Sequence, residues 1–191
     1  AIALEDFTAQ EMAALLAGLG EPLPEAQAIL NRVYTWTRGH PYLSQKILRG
    51  LARRRDENLT TSHVDELVQT QFLGRNSLLE ELHLSALAER LAHDNPARVA
   101  RLNCYGRIRK GARIAFDSSS VAHRELLSAG LIKVGEGGFL RVRNEVYAMT
   151  FVPRWINQNL PYGSRKIAFG AVVVTLILAA AAWYLQLLPW L

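Results

Sequence analysis

The chain has 191 residues, a formal net charge of +5 and an apolar share of 50%. This length allows one or two compact domains, and the apolar share is enough to form a core. A single cysteine, Cys104, excludes an intramolecular disulfide and favours a reducing compartment. The first ten residues carry acids and no basic cluster, so they are not a secretory signal peptide. Because the chain lacks an initiator Met, we expect it to be a piece of a longer protein.

Helix start and stop signals divide the first 73 residues into four predicted helices. Thr8 and Glu11 have the spacing of a capping box, which marks the start of the first helix. The next boundaries are set by glycines that end helices and prolines that begin them, namely Gly20, Pro24, Gly39 and Pro41. A fourth helix covers about residues 62–72. Apolar residues recur at helical spacing in each, so residues 1–73 are predicted to form a helical bundle that resembles a lid.

The pattern changes after residue 77. Two helices are predicted at about 78–92 and 96–108, followed by a short strand at 112–116 and a helix at 121–129. Two β-prone runs, 131–134 and 139–142, flank a glycine-rich turn and predict a hairpin. This order is typical of a winged helix, which we assign to residues 77–152. Asn144 is expected to cap a last helix that runs through Trp155.

Residues 167–185 are apolar and carry no charge, and a helix of this length would measure about 28 Å. We therefore predict a transmembrane helix at 167–188. Residues 153–166 form a basic juxtamembrane linker in which Arg165 and Lys166 place the N-terminal side in the cytoplasm. Trp183, Tyr184 and Trp190 fit the far interface. The fold class predicted is mainly α, with a helical bundle, a winged helix with a small hairpin and one C-terminal transmembrane helix. The localisation predicted is that of a single-pass protein of the bacterial inner membrane.

Two stretches resemble a known family. Residues 33–43, VYTWTRGHPYL, resemble the turn in the helical lid of AAA-like, STAND-class P-loop ATPases. Residues 130–132, the hairpin and residues 140–147 resemble the end of the winged helix that follows this lid. The resemblance covers about residues 3–155 and implies nucleotide contact at Gly39, His40 and Pro41, although Arg38 stands where the family more often has glycine.

The chain contains no G-x-x-x-x-G-K-[ST] motif, so the resemblance implies that an ATPase core lies upstream of residue 1. We expect no catalytic residue, no metal site and no cofactor within these residues, and ATP or ADP only in the full-length protein. The implied role is a membrane-anchored regulatory module in which nucleotide state controls a signalling switch. Its expected partners are the membrane, the upstream core and other proteins.

A basic surface leaves other roles open. Its members are Arg98, Arg101, Arg107, Arg109, Lys110 and Arg113, with Arg141 and Arg143 beside the predicted wing. Such charge fits DNA phosphates, an anionic membrane leaflet or a solvated face. The predicted recognition helix has few side chains suited to base readout, which makes nucleic acid a weaker candidate. The alternatives are a membrane-tethered winged-helix DNA-binding regulator and a structural docking subunit of a membrane complex.

Overall fold

The computed structural model describes residues 5–17, 25–54 and 58–161. The helices in these ranges are α1 (Ala9–Ala17), α2 (Ala26–Thr37), α3 (Pro41–Ala52), α4 (Thr61–Gln71), α5 (Ser77–Glu80), α6 (Leu82–Ala92), α7 (Arg98–Arg109), α8 (Val121–Ser128), α9 (Glu145–Thr150) and α10 (Pro153–Asn159). A hairpin of two strands, β1 (Ile132–Val134) and β2 (Leu140–Val142), lies between α8 and α9.

We call residues 5–73 the N-terminal unit. The capping box before α1 is present: the amide of Thr8 donates to Glu11 Oε2 at 2.7 Å and the amide of Glu11 donates to Thr8 Oγ1 at 3.2 Å. Pro41 occupies the first turn of α3, where its missing N–H leaves no intrahelical bond unmade. The inward faces of α2, α3 and α4 supply the apolar core of this unit, which includes Ile29, Val33, Leu43, Ile47, Val64 and Val68.

We call residues 77–161 the hairpin unit. Strands β1 and β2 pair antiparallel, with Ile132 opposite Val142 and Val134 opposite Leu140. Gly137 and Gly138 in the turn both have positive φ, which glycine adopts without strain. The strand predicted at 112–116 is reduced to a bridge between Ala115 and Phe139. The order of elements is otherwise the predicted one.

Two predicted helices are each broken in two. The helix expected at 78–92 breaks at Glu81, whose backbone is extended and whose carboxylate accepts from the amide of His83 at the start of α6. The helix expected from Asn144 to Trp155 breaks at Val152, because Pro153 disfavours a helical conformation in the residue before it. Each break follows from the local chemistry of one residue inside an otherwise helical pattern.

The two units share one apolar core. Buried residues of the N-terminal unit and of the hairpin unit form a single continuous cluster, and α2 packs against α9. In the hairpin unit, Phe151 lies edge-on to Tyr105 with ring centroids 6.1 Å apart. The loop at 74–76 therefore lies between the two units in the sequence, but the units pack against each other around one core.

The prediction of a C-terminal transmembrane helix is corrected. Among the described residues the longest helices have 12 residues, whereas a span needs about 20, and none is both long and apolar enough to cross a bilayer. The fold class ending in such a helix and the single-pass inner-membrane localisation therefore have no support in the described residues. Length and apolar composition were the whole basis of the prediction. Residues 162–191, with the linker cations Arg165 and Lys166, the predicted span 167–188 and the aromatics Trp183, Tyr184 and Trp190, lie outside the described residues.

Gly39 brings the chain N-terminal to α1 against the turn between α2 and α3. Its φ is +79°, and its carbonyl accepts from the amide of Phe7 at 2.8 Å. A Cβ at this position would lie 2.1 Å from the Phe7 carbonyl oxygen, which is backbone and cannot rotate away. The turn therefore requires glycine for two reasons, its left-handed conformation and the close approach of Phe7.

Gly39→Ala should lower the free energy of unfolding by more than about 2 kcal/mol, since it adds a backbone clash to left-handed strain of about 1–2 kcal/mol. The matched control is Gly111→Ala, where φ is +85° but no atom lies within 4 Å of the added Cβ. Urea denaturation of both variants measures the difference. Equal losses would show that Phe7 does not constrain the turn.

Candidate functional site at the junction of the two units

A buried hydroxyl joins the turn after α2 to the hairpin unit. His40 is the N-cap residue directly before α3, and its Nε2 lies 2.9 Å from the hydroxyl oxygen of Tyr147 on α9. The same oxygen lies 2.6 Å from Nε2 of His83 on α6. With one proton, the hydroxyl donates to one imidazole and accepts from the other. Three elements from two units therefore meet at a single oxygen atom.

Both histidines of this junction are held in the neutral form. Burial, followed by the charge of Arg143 and the neighbouring His83, lowers the pKa of His40 to about 3. Burial is also the largest cause that lowers the pKa of His83, and it raises the pKa of Tyr147. Nδ1 of His40 is buried and has no hydrogen-bond partner among the described residues. Charging this ring would place an uncompensated cation in the core.

A second polar group lies beside the first. Glu81, at the break between α5 and α6, is 4% exposed and accepts from the hydroxyl of Tyr42 at 2.5 Å and from the ammonium of Lys46. The ring of Tyr42 lies 4.8 Å from the ring of His83. Burial lowers the pKa of Lys46 and raises the pKa of Tyr42. The buried carboxylate therefore ties α3 to the start of α6 by a second route.

The segment before α1 ties the same turn to the hairpin. Asp6 accepts from Arg143 Nη2 at 2.7 Å and from the ammonium of Lys133. Burial alone would raise the pKa of Asp6, but the hydrogen bonds from Arg143 and Lys133 outweigh it and lower that pKa. The next residue, Phe7, bonds to Gly39. The hairpin, the N-terminal segment and the turn are therefore connected in series.

The residues predicted to touch a nucleotide are brought together but face different surroundings. Gly39 is buried under Phe7, and His40 is only 7% exposed. Pro41 is half-buried and is the member of the three that solvent reaches. Sequence reasoning missed Asp6, Glu81 and the role of Tyr147, since no local pattern shows which distant residue a polar side chain will meet.

Most of the predicted basic surface bonds to the protein itself. Arg101 is 3% exposed and donates to the carbonyl oxygens of Leu91 and His93 at 3.0 and 2.5 Å, and to the carboxylate of Glu125. Arg98 and Arg109 donate to the backbone carbonyls of Asn159 and Ala148, each at 2.6 Å. The guanidinium of Arg113 lies 4.5 Å above the ring of Phe139, and that of Arg143 bonds to Asp6. Arg107, Lys110 and Arg141 are exposed.

On α8, the predicted recognition helix, Arg124 is bonded to the protein itself and is not free to contact bases in a DNA groove. Arg124 donates to the carbonyl oxygens of Ser118 and Ser119 at 2.6 and 2.9 Å, which caps the preceding loop. Glu125 is held by Arg101. Base readout needs free donors and acceptors on such a helix. The described geometry gives no support to sequence-specific DNA recognition.

The described residues hold no group of three or more His, Cys, Asp or Glu arranged to bind a metal. Cys104 is half-buried, and burial raises the pKa of its thiol. The junction joins the turn before α3 to α6 and α9 through hydrogen bonds.

The comparisons with known proteins give one informative relative. The chain is 31% identical over 183 residues to an uncharacterized WD repeat-containing protein of Synechocystis sp.. The match covers 88% of this chain but 15% of the relative, which is a much longer protein. No protein-family profile matches the chain, and no solved structure matches it at a significant level. This relative is a WD repeat-containing protein and not an AAA-like or STAND ATPase, so the assignment of the chain to those families is corrected.

The buried histidine predicts a pH-dependent stability. The unfolded chain takes up a proton at His40 below about pH 6.5, but the folded chain does so only near pH 3. The stabilisation is therefore complete above pH 6.5 and declines as the pH falls toward 3, by at most about 1.4 kcal/mol per pH unit. Urea midpoints measured between pH 7.5 and 4.5 should fall in the wild type and fall less in His40→Gln.

The matched control for this titration is His93→Gln, which changes an exposed histidine. Its midpoints should follow those of the wild type across the same range. If His40→Gln and the wild type gave parallel curves, His40 would not be the group that links folding to protons.

Proposed function

We propose that this chain is a regulatory module of a longer multidomain protein, which transmits a change at the turn of residues 39–41 to the hairpin unit. The observation that carries the proposal is the buried contact of His40 with Tyr147, which joins that turn to α9. The length of the WD repeat-containing relative is consistent with a multidomain protein.

The coupling follows from burial. If the turn moved, the hydroxyl of Tyr147 and the imidazole of His40 would each lose a partner in a site that solvent barely reaches. A buried polar group without a partner costs about 1–3 kcal/mol. This cost favours two discrete arrangements, in which the junction is either made or open, over a gradual deformation. A ligand that prefers one position of the turn would then bias the hairpin unit.

The ligand proposed for the turn is ATP or ADP, held by a core outside this chain. Pro41 is the accessible member of the triplet Gly39, His40 and Pro41. Arg38, which directly precedes this triplet, is exposed and has a left-handed backbone conformation with φ of +50°. His40 would act from the inner side of the same turn, as the connection to Tyr147. The module itself would carry no chemical step.

The DNA-binding alternative has less support. Five of its eight predicted cations, Arg98, Arg101, Arg109, Arg113 and Arg143, are held by backbone carbonyls, carboxylates or a ring of the protein. The arginine of α8 is also occupied. Protein partners therefore fit the described surface better than a duplex.

The proposal is tested in the longer natural protein that contains this chain. Fluorescent ADP should bind that protein and should not bind the chain alone. In hydrogen–deuterium exchange, ADP should change the protection of α9 and β2. Tyr147→Phe should keep the affinity for ADP within about threefold and abolish the change at α9, because it removes the shared hydroxyl.

The control is Tyr105→Phe. The hydroxyl of Tyr105 donates to the backbone carbonyl of Tyr147 at 3.0 Å, so its loss removes an equally buried hydroxyl without touching His40. This variant should still respond to ADP. A longer protein that binds no adenine nucleotide, or a Tyr147→Phe variant that responds like the wild type, would refute the proposed switch.

A further inference from the structure

A groove runs along the outer face of α3, on the side away from the core. The residues that line it recur at spacings of three and four, which places them on one helical stripe. They are Tyr42, Gln45, Lys46, Arg49, Gly50 and Arg53, with Gln71 from the end of α4. The groove encloses about 430 Å³. The roles proposed for the turn of residues 39–41 and for the contact between His40 and Tyr147 do not explain this groove.

Two arginines of the groove carry charge that the described residues do not compensate. Arg49 and Arg53 are exposed, lie four residues apart and form no ion pair or hydrogen bond with any side chain that the structure describes. Like charges at this spacing repel each other. Two neighbouring cations show the contrast: Arg32 binds Asp65 at 2.7 Å, and Lys46, on the same stripe, binds Glu81. Among the described residues of the stripe, the unpaired charge therefore lies at one end.

The base of the groove contains a glycine and a hydrogen-bond acceptor that has no partner among the described residues. Gly50 lies inside α3, where glycine costs about 1 kcal/mol relative to alanine. A Cβ there would come within 3.0 Å of Leu67 and 3.2 Å of Gln71 Nε2, so these side chains would have to shift by a few tenths of an ångström to admit one. Gln71 Oε1 is buried and accepts no hydrogen bond from the described residues. This oxygen is suited to an incoming N–H group.

Exposed apolar side chains lie next to the other end of the groove, at Tyr42 and in the segment around Glu81. Tyr42 is 41% exposed, and Leu79 and Leu82 are 81% and 82% exposed. Glu81 lies between these two leucines in the chain and bonds to the hydroxyl of Tyr42, which places that segment beside the start of α3. Tyrosine is a common anchor residue in protein interfaces, and exposed apolar side chains grouped around it mark a surface that a partner can cover.

We propose that this groove binds an acidic amphipathic segment of a partner protein. Carboxylates of the segment pair with Arg49 and Arg53, a backbone N–H donates to Gln71, and an apolar side chain covers Tyr42 and the two leucines. Positions 42 to 53 of a helix span about 16 Å, which accommodates about three turns of a helix or five residues of extended chain. Two cations and an apolar end match an acidic peptide better than the continuous phosphate charge of a nucleic acid.

The test uses a fluorescein-labelled, end-blocked 12-residue peptide of leucine and glutamate at helical spacing. Fluorescence anisotropy with the full chain should show saturable binding below about 1 mM. The same peptide with glutamine at every glutamate should bind at least about tenfold more weakly. Arg49→Glu combined with Arg53→Glu should weaken binding of the acidic peptide by at least about tenfold, and Leu82→Ser should weaken it measurably.

The matched control is Arg107→Glu combined with Lys110→Glu, which makes the same charge change at exposed positions at the end of α7. This variant should keep its affinity within about twofold. The proposal is overturned if the control loses as much affinity as the groove variant or if the glutamine peptide binds equally well. It is also overturned by an absence of saturable binding, or by a single-stranded oligonucleotide binding at the same arginines in preference to the peptide.

Discussion

The fold depends on the satisfaction of one buried oxygen. The hydroxyl of Tyr147 has two imidazole partners, and these come from residues 107 and 64 positions away in the chain. Such contacts specify an arrangement more strictly than apolar packing does, because a misplaced partner leaves a polar group unpaired in a dry site. The surrounding leucines and aromatics provide the bulk of the stabilisation. The hydroxyl decides which relative placement of α3, α6 and α9 is the stable one.

Ion pairs among the described residues also fix the position of one element against another. Asp6 holds two cations of the hairpin, Glu81 holds Lys46, and Arg101 is surrounded by carbonyls and the carboxylate of Glu125. Because the partners of these buried charges are distant in sequence, each pair fixes the position of one element against another. Removal of a single partner from such a pair is usually costly even where the intact pair adds little net stability. Among the described residues, part of the basic charge is thus structural and the rest is available to ligands.

The sequence was informative where the chemistry is local. The capping box at Thr8, the proline that begins α3 and the glycine-rich turn of the hairpin each depend on residues within four positions of one another. The breaks at Glu81 and before Pro153 are also local, but the helical periodicity on either side concealed them. The junction was out of reach, since nothing near Tyr147 in the chain indicates His40. The basic run was misleading for a related reason: a pattern shows that arginines are clustered but not that carbonyls elsewhere will bind them.

The shared core limits how the chain can be divided. Leucines and aromatic residues of both units pack against each other across their boundary. An isolated unit would therefore expose a large apolar surface to water. Melting is then expected to be all-or-none, with a single calorimetric peak for the two halves together. The same contacts constrain evolution by recombination. A gene fusion that exchanged one half would need a replacement whose contacting side chains already fit, and the two halves should therefore be inherited as one block.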